Sequence, residues 1–111
     1  MTIASEALAK RLRPIMAKLP GVVEKKMFGG IGFMHLGNMA IGTTAKGDLL
    51  VRIDPARQAD ALSRDGAHQM MMGEREMKGF IAVGEDGTRS IADLKDWVAY
   101  AMKYVKTLPP K

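Results

Sequence analysis

The chain contains no cysteine. That excludes disulfides, thiolate metal sites, iron–sulfur clusters and a cysteine nucleophile. A small domain without disulfides suits a reducing compartment, so the cytoplasm is the expected location. No apolar run approaches the ~20 residues that a membrane span needs. The start, MTIASEALAKRLRP, carries Glu6, Lys10, Arg11 and Arg13 where a signal peptide would be apolar. No membrane partner is expected. Aromatic residues make up only 5% of the chain, too few to assemble the stacking platforms that bind single-stranded nucleic acid. The two histidines, His35 and His68, have no second His or Cys at ligand spacing. No nucleophile–base pair or carboxylate dyad stands out either. The expectation is a protein with no metal, no cofactor and no catalytic residue, that is, not an enzyme.

What is present is 111 residues, enough for one domain spanning 1–111. A chain of this length can bury roughly two-thirds of the surface exposed when unfolded, so it can fold without staples. The formal net charge is +5, and it is unevenly placed. Residues 1–26 carry +4 and residues 95–111 carry +3, whereas residues 27–94 carry −2. If the first and last helices pack side by side, Lys10, Arg11, Arg13, Lys18, Lys25, Lys26, Lys103 and Lys106 could form one basic face for phosphate or an acidic partner. The plain alternative is that these side chains solvate two helices.

Residues 3–19 place Leu8, Leu12, Ile15, Met16 and Leu19 at helical spacing, with Pro14 off the stripe and Pro20-Gly21 as a stop. Pro14 has no N–H for the carbonyl of Lys10, which predicts a kink or an irregular turn there. From residue 22 the period changes. Val22–Phe28, Ile31–Leu36, Met39–Thr44 and Leu49–Ile53 are short apolar runs. Hairpin-type breaks at Gly37-Asn38 and Lys46-Gly47 make them an antiparallel meander. Asp54-Pro55 caps and opens a short helix with Ala56, Ala59 and Leu62 inward, ended by Gly66. Two more strands follow at residues 68–72 and 77–83, and Glu85-Asp86-Gly87 is a turn. Ser90 and Asp93 form a capping box before a stripe of Ile91, Leu94, Trp97, Val98, Ala101, Met102 and Val105, in which Trp97 reads as a core anchor. The order is helix, three or four strands, short helix, two strands, long helix. That pattern predicts an α+β fold with a mostly antiparallel sheet and helices on one face.

Three features remain. Met27-Phe28-Gly29-Gly30-Ile31-Gly32-Phe33 holds three glycines in four positions, which serve a bend or bulge between strands. A phosphate loop would open a helix, and here another strand follows. Ten methionines, among them Met34, Met39, Met70, Met71, Met72 and Met77, enrich the middle of the chain. Methionine fills irregular cores and also lines adaptable binding surfaces. Met70, Met71 and Met72 alternate across a strand; core filling is the default reading, and if helices cover one face at least one of them reaches the other, where a partner patch is the alternative. Arg52 and His35 are the residues to inspect for any small-ligand pocket.

Lys26-Met27-Phe28-Gly29-Gly30-Ile31-Gly32-Phe33, Gly37-Asn38-Met39 and Asp48-Leu49-Leu50-Val51-Arg52-Ile53 resemble the TfoX N-terminal domain family over nearly the whole chain. The Met-Phe-Gly-Gly-x-Gly element is the most specific part of that likeness. The resemblance implies an α-β(3)-α-β(2)-α architecture like that of secretion-chaperone domains, and a non-enzymatic regulatory role. Full-length members of the family promote competence-gene expression beside a cAMP-receptor-type activator and carry a second, helical domain. The 111 residues are expected to be a stand-alone member. Met27, Phe28, Gly29, Gly30, Gly32 and Arg52 are its motif positions. The expected partner is a protein, with the transcription apparatus as its candidate source. Nucleic acid is the alternative, and pairing with a second copy is left open.

Overall fold

The computed structural model describes residues 3–27, 30–44, 46–64, 66–72 and 74–110, with the side chains of 3, 4, 27, 71, 72 and 75–78 outside the description. Helix α1 spans Ile3–Met16. Four strands follow: β1 (Val22–Met27), β2 (Gly30–His35), β3 (Asn38–Thr43) and β4 (Leu49–Arg52). A 3-10 turn at Pro55–Arg57 leads into the short helix α2 (Gln58–Leu62). Strands β5 (Ala67–Met72) and β6 (Arg75–Val83) precede a second 3-10 turn, Glu85–Gly87, and helix α3 (Ile91–Val105). The fold is α+β as the patterning predicts, with the larger of the two strand counts before α2.

The strands form one antiparallel sheet in the order β1-β2-β3-β4-β6-β5. Its register puts Phe33, Ile41, Val51 and Ile81 side by side across four strands, and all four are buried. Each such side chain contributes roughly 1.5–3 kcal/mol by leaving water. The ends of this row are polar: Glu24 beside Phe33 on β1, and Gln69 beside Ile81 on β5. α1 packs over β2 and β3, α3 over β3 and β4, and α2 over β6 and β5. Leu8, Leu12 and Met16, Leu94 and Val98, and Ala61 join the sheet residues in one core. The next row of the register, facing away from the helices, is Lys25, Gly32, Gly42, Leu50, Ala82 and His68.

The glycine-dense segment is the β1–β2 hairpin. Met27 pairs with Gly30, Phe28 and Gly29 lie outside the described residues, and no helix follows. A side chain at Gly30 would overlap the Thr43 carbonyl oxygen, so only glycine fits where β2 begins.

Four local details differ from the sequence expectations. α1 closes at Met16, three residues before Leu19, with Pro14 in its last turn. The β2–β3 turn is Leu36-Gly37 (φ 50° and 87°), not Gly37-Asn38. A two-residue hairpin of this type needs positive φ at both positions. Leu36 is held there by its N–H donating to Gly21 O at 3.0 Å. Ala61, not Ala56 or Ala59, is the buried alanine of the short helical segment. β6 starts at Arg75 rather than residue 77 because its pairing with β5 is irregular. Two steps along β5, from Gln69 to Met71, match five along β6, from Ile81 to Glu76. Gly79, at φ 82°, lies in that excess. Gln58 of α2 secures it: Oε1 accepts from Gly79 N at 2.9 Å, and Nε2 donates to Phe80 O at 3.3 Å and to Gln69 Oε1 at 3.2 Å.

The expected capping box is formed. Asp93 N donates to Ser90 Oγ at 3.0 Å and Ser90 N to Asp93 Oδ2 at 3.4 Å. Trp97 is buried in the core, and its Nε1 donates to Gly87 O at 3.1 Å. In urea denaturation, Gln58→Ala should lower the unfolding free energy by about 2 kcal/mol, since it strips partners from strand backbone. Ser90→Ala should cost about 1 kcal/mol.

Candidate functional site

α1 and α3 stand on neighbouring strands, and each turns its apolar stripe toward the sheet more than toward the other helix. The space between them is a groove of about 720 Å3. Pro14 and Ile15 of α1 and Leu19 of the following turn form one wall, and Ile91, Val98 and Met102 of α3 form the other. Val98 and Met102 are almost fully buried, so the floor is continuous with the core. Ile91 belongs to the apolar stripe of α3, yet it is 48% exposed at the groove's end. The rim is cationic, with Arg11 and Lys18 on one side and Lys95, Lys103 and Lys106 on the other. Among the described residues, no acidic side chain lines the groove. Arg11 also ties the two elements together, its Nη2 donating to Thr88 O at 2.6 Å and Arg89 O at 3.0 Å, just before the cap of α3.

A smaller, polar cleft lies on the other side of α3, between it and α2. Tyr100 donates to Asp60 Oδ2 at 3.0 Å. The Arg64 guanidinium stacks 4.3 Å from the Tyr100 ring centroid and 5.2 Å from that of Trp97. Burial, and then the hydrogen bond to Asp60, push the Tyr100 phenol above its ordinary pKa. The Tyr100–Asp60 hydrogen bond and the stacked Arg64 join α2 to α3 here, so this cleft reads as a structural joint.

Four of the eight expected basic residues, Arg11, Lys18, Lys103 and Lys106, come together on the groove. The other four do not line it. Lys10 is exposed on α1, and Lys25 and Lys26 are exposed on the edge strand β1. Arg13 is held by Glu24, with its Nε donating to Oε1 at 2.9 Å, and by Glu6, with its Nη1 donating to Oε1 at 2.9 Å. Of the motif positions, Gly30 and Gly32 are buried in β2, and the Met27 side chain lies outside the description. Arg52 is half-buried, stacked 5.7 Å from the Phe80 ring centroid on the helix-free face. His35 ends β2, and His68 sits on edge strand β5 with Nε2 3.5 Å from Asp48. Met70 is half-buried, and the side chains of Met71 and Met72 lie outside the description. Among the described residues, no three His, Asp or Glu side chains are grouped to hold a metal. Likewise, no helix among them is long and apolar enough to cross a membrane. The sequence reading missed Lys95 and the apolar floor. Their signal was present in Pro14, Ile15 and Ile91, apolar residues next to cations on the outer flanks of two helices.

Residues 14–104 match the family model described as TfoX N-terminal domain. Comparison with curated proteins and with solved structures gives no match.

The Tyr100 joint makes a pH prediction. A raised phenol pKa favours the folded state while the group is neutral. Its contribution is therefore complete below the unfolded value of about 10 and is lost as pH rises through the higher folded value. The stability difference between the wild type and Tyr100→Phe, measured by chemical denaturation, should be constant up to about pH 9 and narrow above pH 10.

Proposed function

Because the chain belongs to the TfoX N-terminal domain family, we propose that it is a non-catalytic cytoplasmic interaction module linked to transcriptional regulation, and that it binds a protein partner in the groove between α1 and α3. The observation that carries this reading is the make-up of the groove, an apolar floor inside a charged rim. Protein interfaces are built this way, with a desolvated core that supplies affinity and a polar border that supplies orientation.

Direct nucleic-acid binding is the second reading, favoured by the convergence of Arg11, Lys18, Lys95, Lys103 and Lys106 on one rim. Phosphate contacts need the cations but have no use for Ile15, Leu19, Ile91 and Met102 between them. The floor therefore tips the balance toward protein.

Ile91 and Ala99 are exposed, so Ile91→Glu and Ala99→Glu should fold normally. Both should lose a partner that the wild type retains from its native cytoplasm. Val23→Glu, at an exposed position on edge strand β1, should keep it. Retention of the same proteins by all four would remove the groove from consideration. Titration with duplex DNA at low salt should show no binding up to high micromolar protein; tight binding that weakens steeply with added salt would establish the second reading instead.

A further inference from the structure

We infer that the segment seated between α1 and α3 is an acidic amphipathic helix of about three turns, supplied by the partner protein. This rests on the reading of the groove as a protein site and adds the chemistry of its occupant.

Three observations lead there. The first is charge. Lys18, Lys95, Lys103 and Lys106 border the apolar floor, and among the described residues none of them has an ion-pair partner. The acidic residues of α3 are segregated away from them, since Asp93 and Asp96 line a separate hollow with Trp97 and Arg64. A basic or neutral ligand would leave four like charges uncompensated, and a second copy of the same groove would bring eight together. Carboxylates flanking an apolar stripe complement both borders.

The second is backbone chemistry. The groove walls are two helices, whose N–H and C=O groups are already paired internally. An extended peptide lying on this floor would have its own backbone groups desolvated with nothing to bond, and each such loss is unfavourable. A helix carries its hydrogen bonds within itself. An extended partner would go instead to the free edges of the sheet, β1 and β5.

The third is length. Lys95 and Lys106 are eleven residues apart along α3, roughly 16 Å at the rise of a helix. That span matches three turns, with apolar residues at i, i+3, i+4 and i+7 on the floor and Asp or Glu on both flanks.

The test uses the full chain and synthetic helices of about 18 residues, long enough to hold three turns with flanks. One carries a leucine stripe flanked by Glu, one the same stripe flanked by Lys, and one is the Glu peptide with a central proline. Fluorescence anisotropy should show the Glu peptide binding, and the Lys and proline peptides binding at least about tenfold more weakly. The variant Lys103→Glu/Lys106→Glu should lose about tenfold for the Glu peptide and gain the Lys peptide, a swap that misfolding does not produce. Comparable binding of the Glu and Lys peptides, no binding of either, or an unaltered preference in the charge-reversed variant would overturn the inference. If a cytoplasmic partner is lost in Ile91→Glu but kept by Lys103→Glu/Lys106→Glu, the groove stands and the acidic helix falls. If neither variant affects the partner, the groove reading itself falls. Preference for a DNA duplex or for anionic vesicles over the Glu peptide would assign the cations to phosphate.

Discussion

The row Phe33, Ile41, Val51 and Ile81 fixes where everything else stands. It is the flat apolar surface on which three helices must be seated, and its two polar ends are each fastened to a helix. At one end Glu24 holds Arg13 of α1; at the other Gln69 accepts from Gln58 of α2. α3 fills the middle with Leu94, Trp97, Val98 and Ala101. A helix that lays its apolar stripe on a sheet has little left to offer its neighbour. The groove between α1 and α3 follows from that geometry, since each helix is committed downward and the gap between their shoulders stays open. The lysines border the gap because the outer flanks of both helices are where cations remain hydrated.

The parts of this architecture governed by local rules were readable from the sequence. Ser90 and Asp93 announce the start of α3, and the spacing from Leu94 to Val105 gives its inner face. Asp54-Pro55 announces the turn into α2, and Asp54 Oδ1 accepts from Ala56 N at 2.9 Å. What could not be read depends on distant partners. Leu36 adopts positive φ because Gly21, fifteen residues earlier, accepts its N–H and has no side chain in the way. The excess residues of β6 are stable because Gln58, on another element, satisfies them. The insertion of β6 between β4 and β5 leaves no local trace, nor does the adjacency of α1 and α3. The groove inherits that difficulty. Its cations were visible as a charge imbalance, but Ile91 looked like core and Lys95 was only one charge of the C-terminal excess until the two helices were set beside each other.

The family's most specific sequence element and the groove lie apart. Gly30 and Gly32 belong to the β1–β2 hairpin, where the demand is steric: Gly30 has the Thr43 carbonyl against it. The motif glycine serves the start of β2, while the groove is made of helix flanks on another part of the fold. Membership of the family is thus written in the scaffold, apart from Lys95 and Ile91 on the groove.

Arg11 gives the gap a mechanical asymmetry. Its guanidinium grips the Thr88 and Arg89 carbonyls where α3 begins. Among the described residues, no hydrogen bond or ion pair joins the Lys18–Leu19 turn to the last turns of α3. Across the groove, then, hydrogen bonds among the described residues fall at the Arg11 end, while at the other end Met16, Met102 and Val105 seat the two helices on the sheet by packing alone.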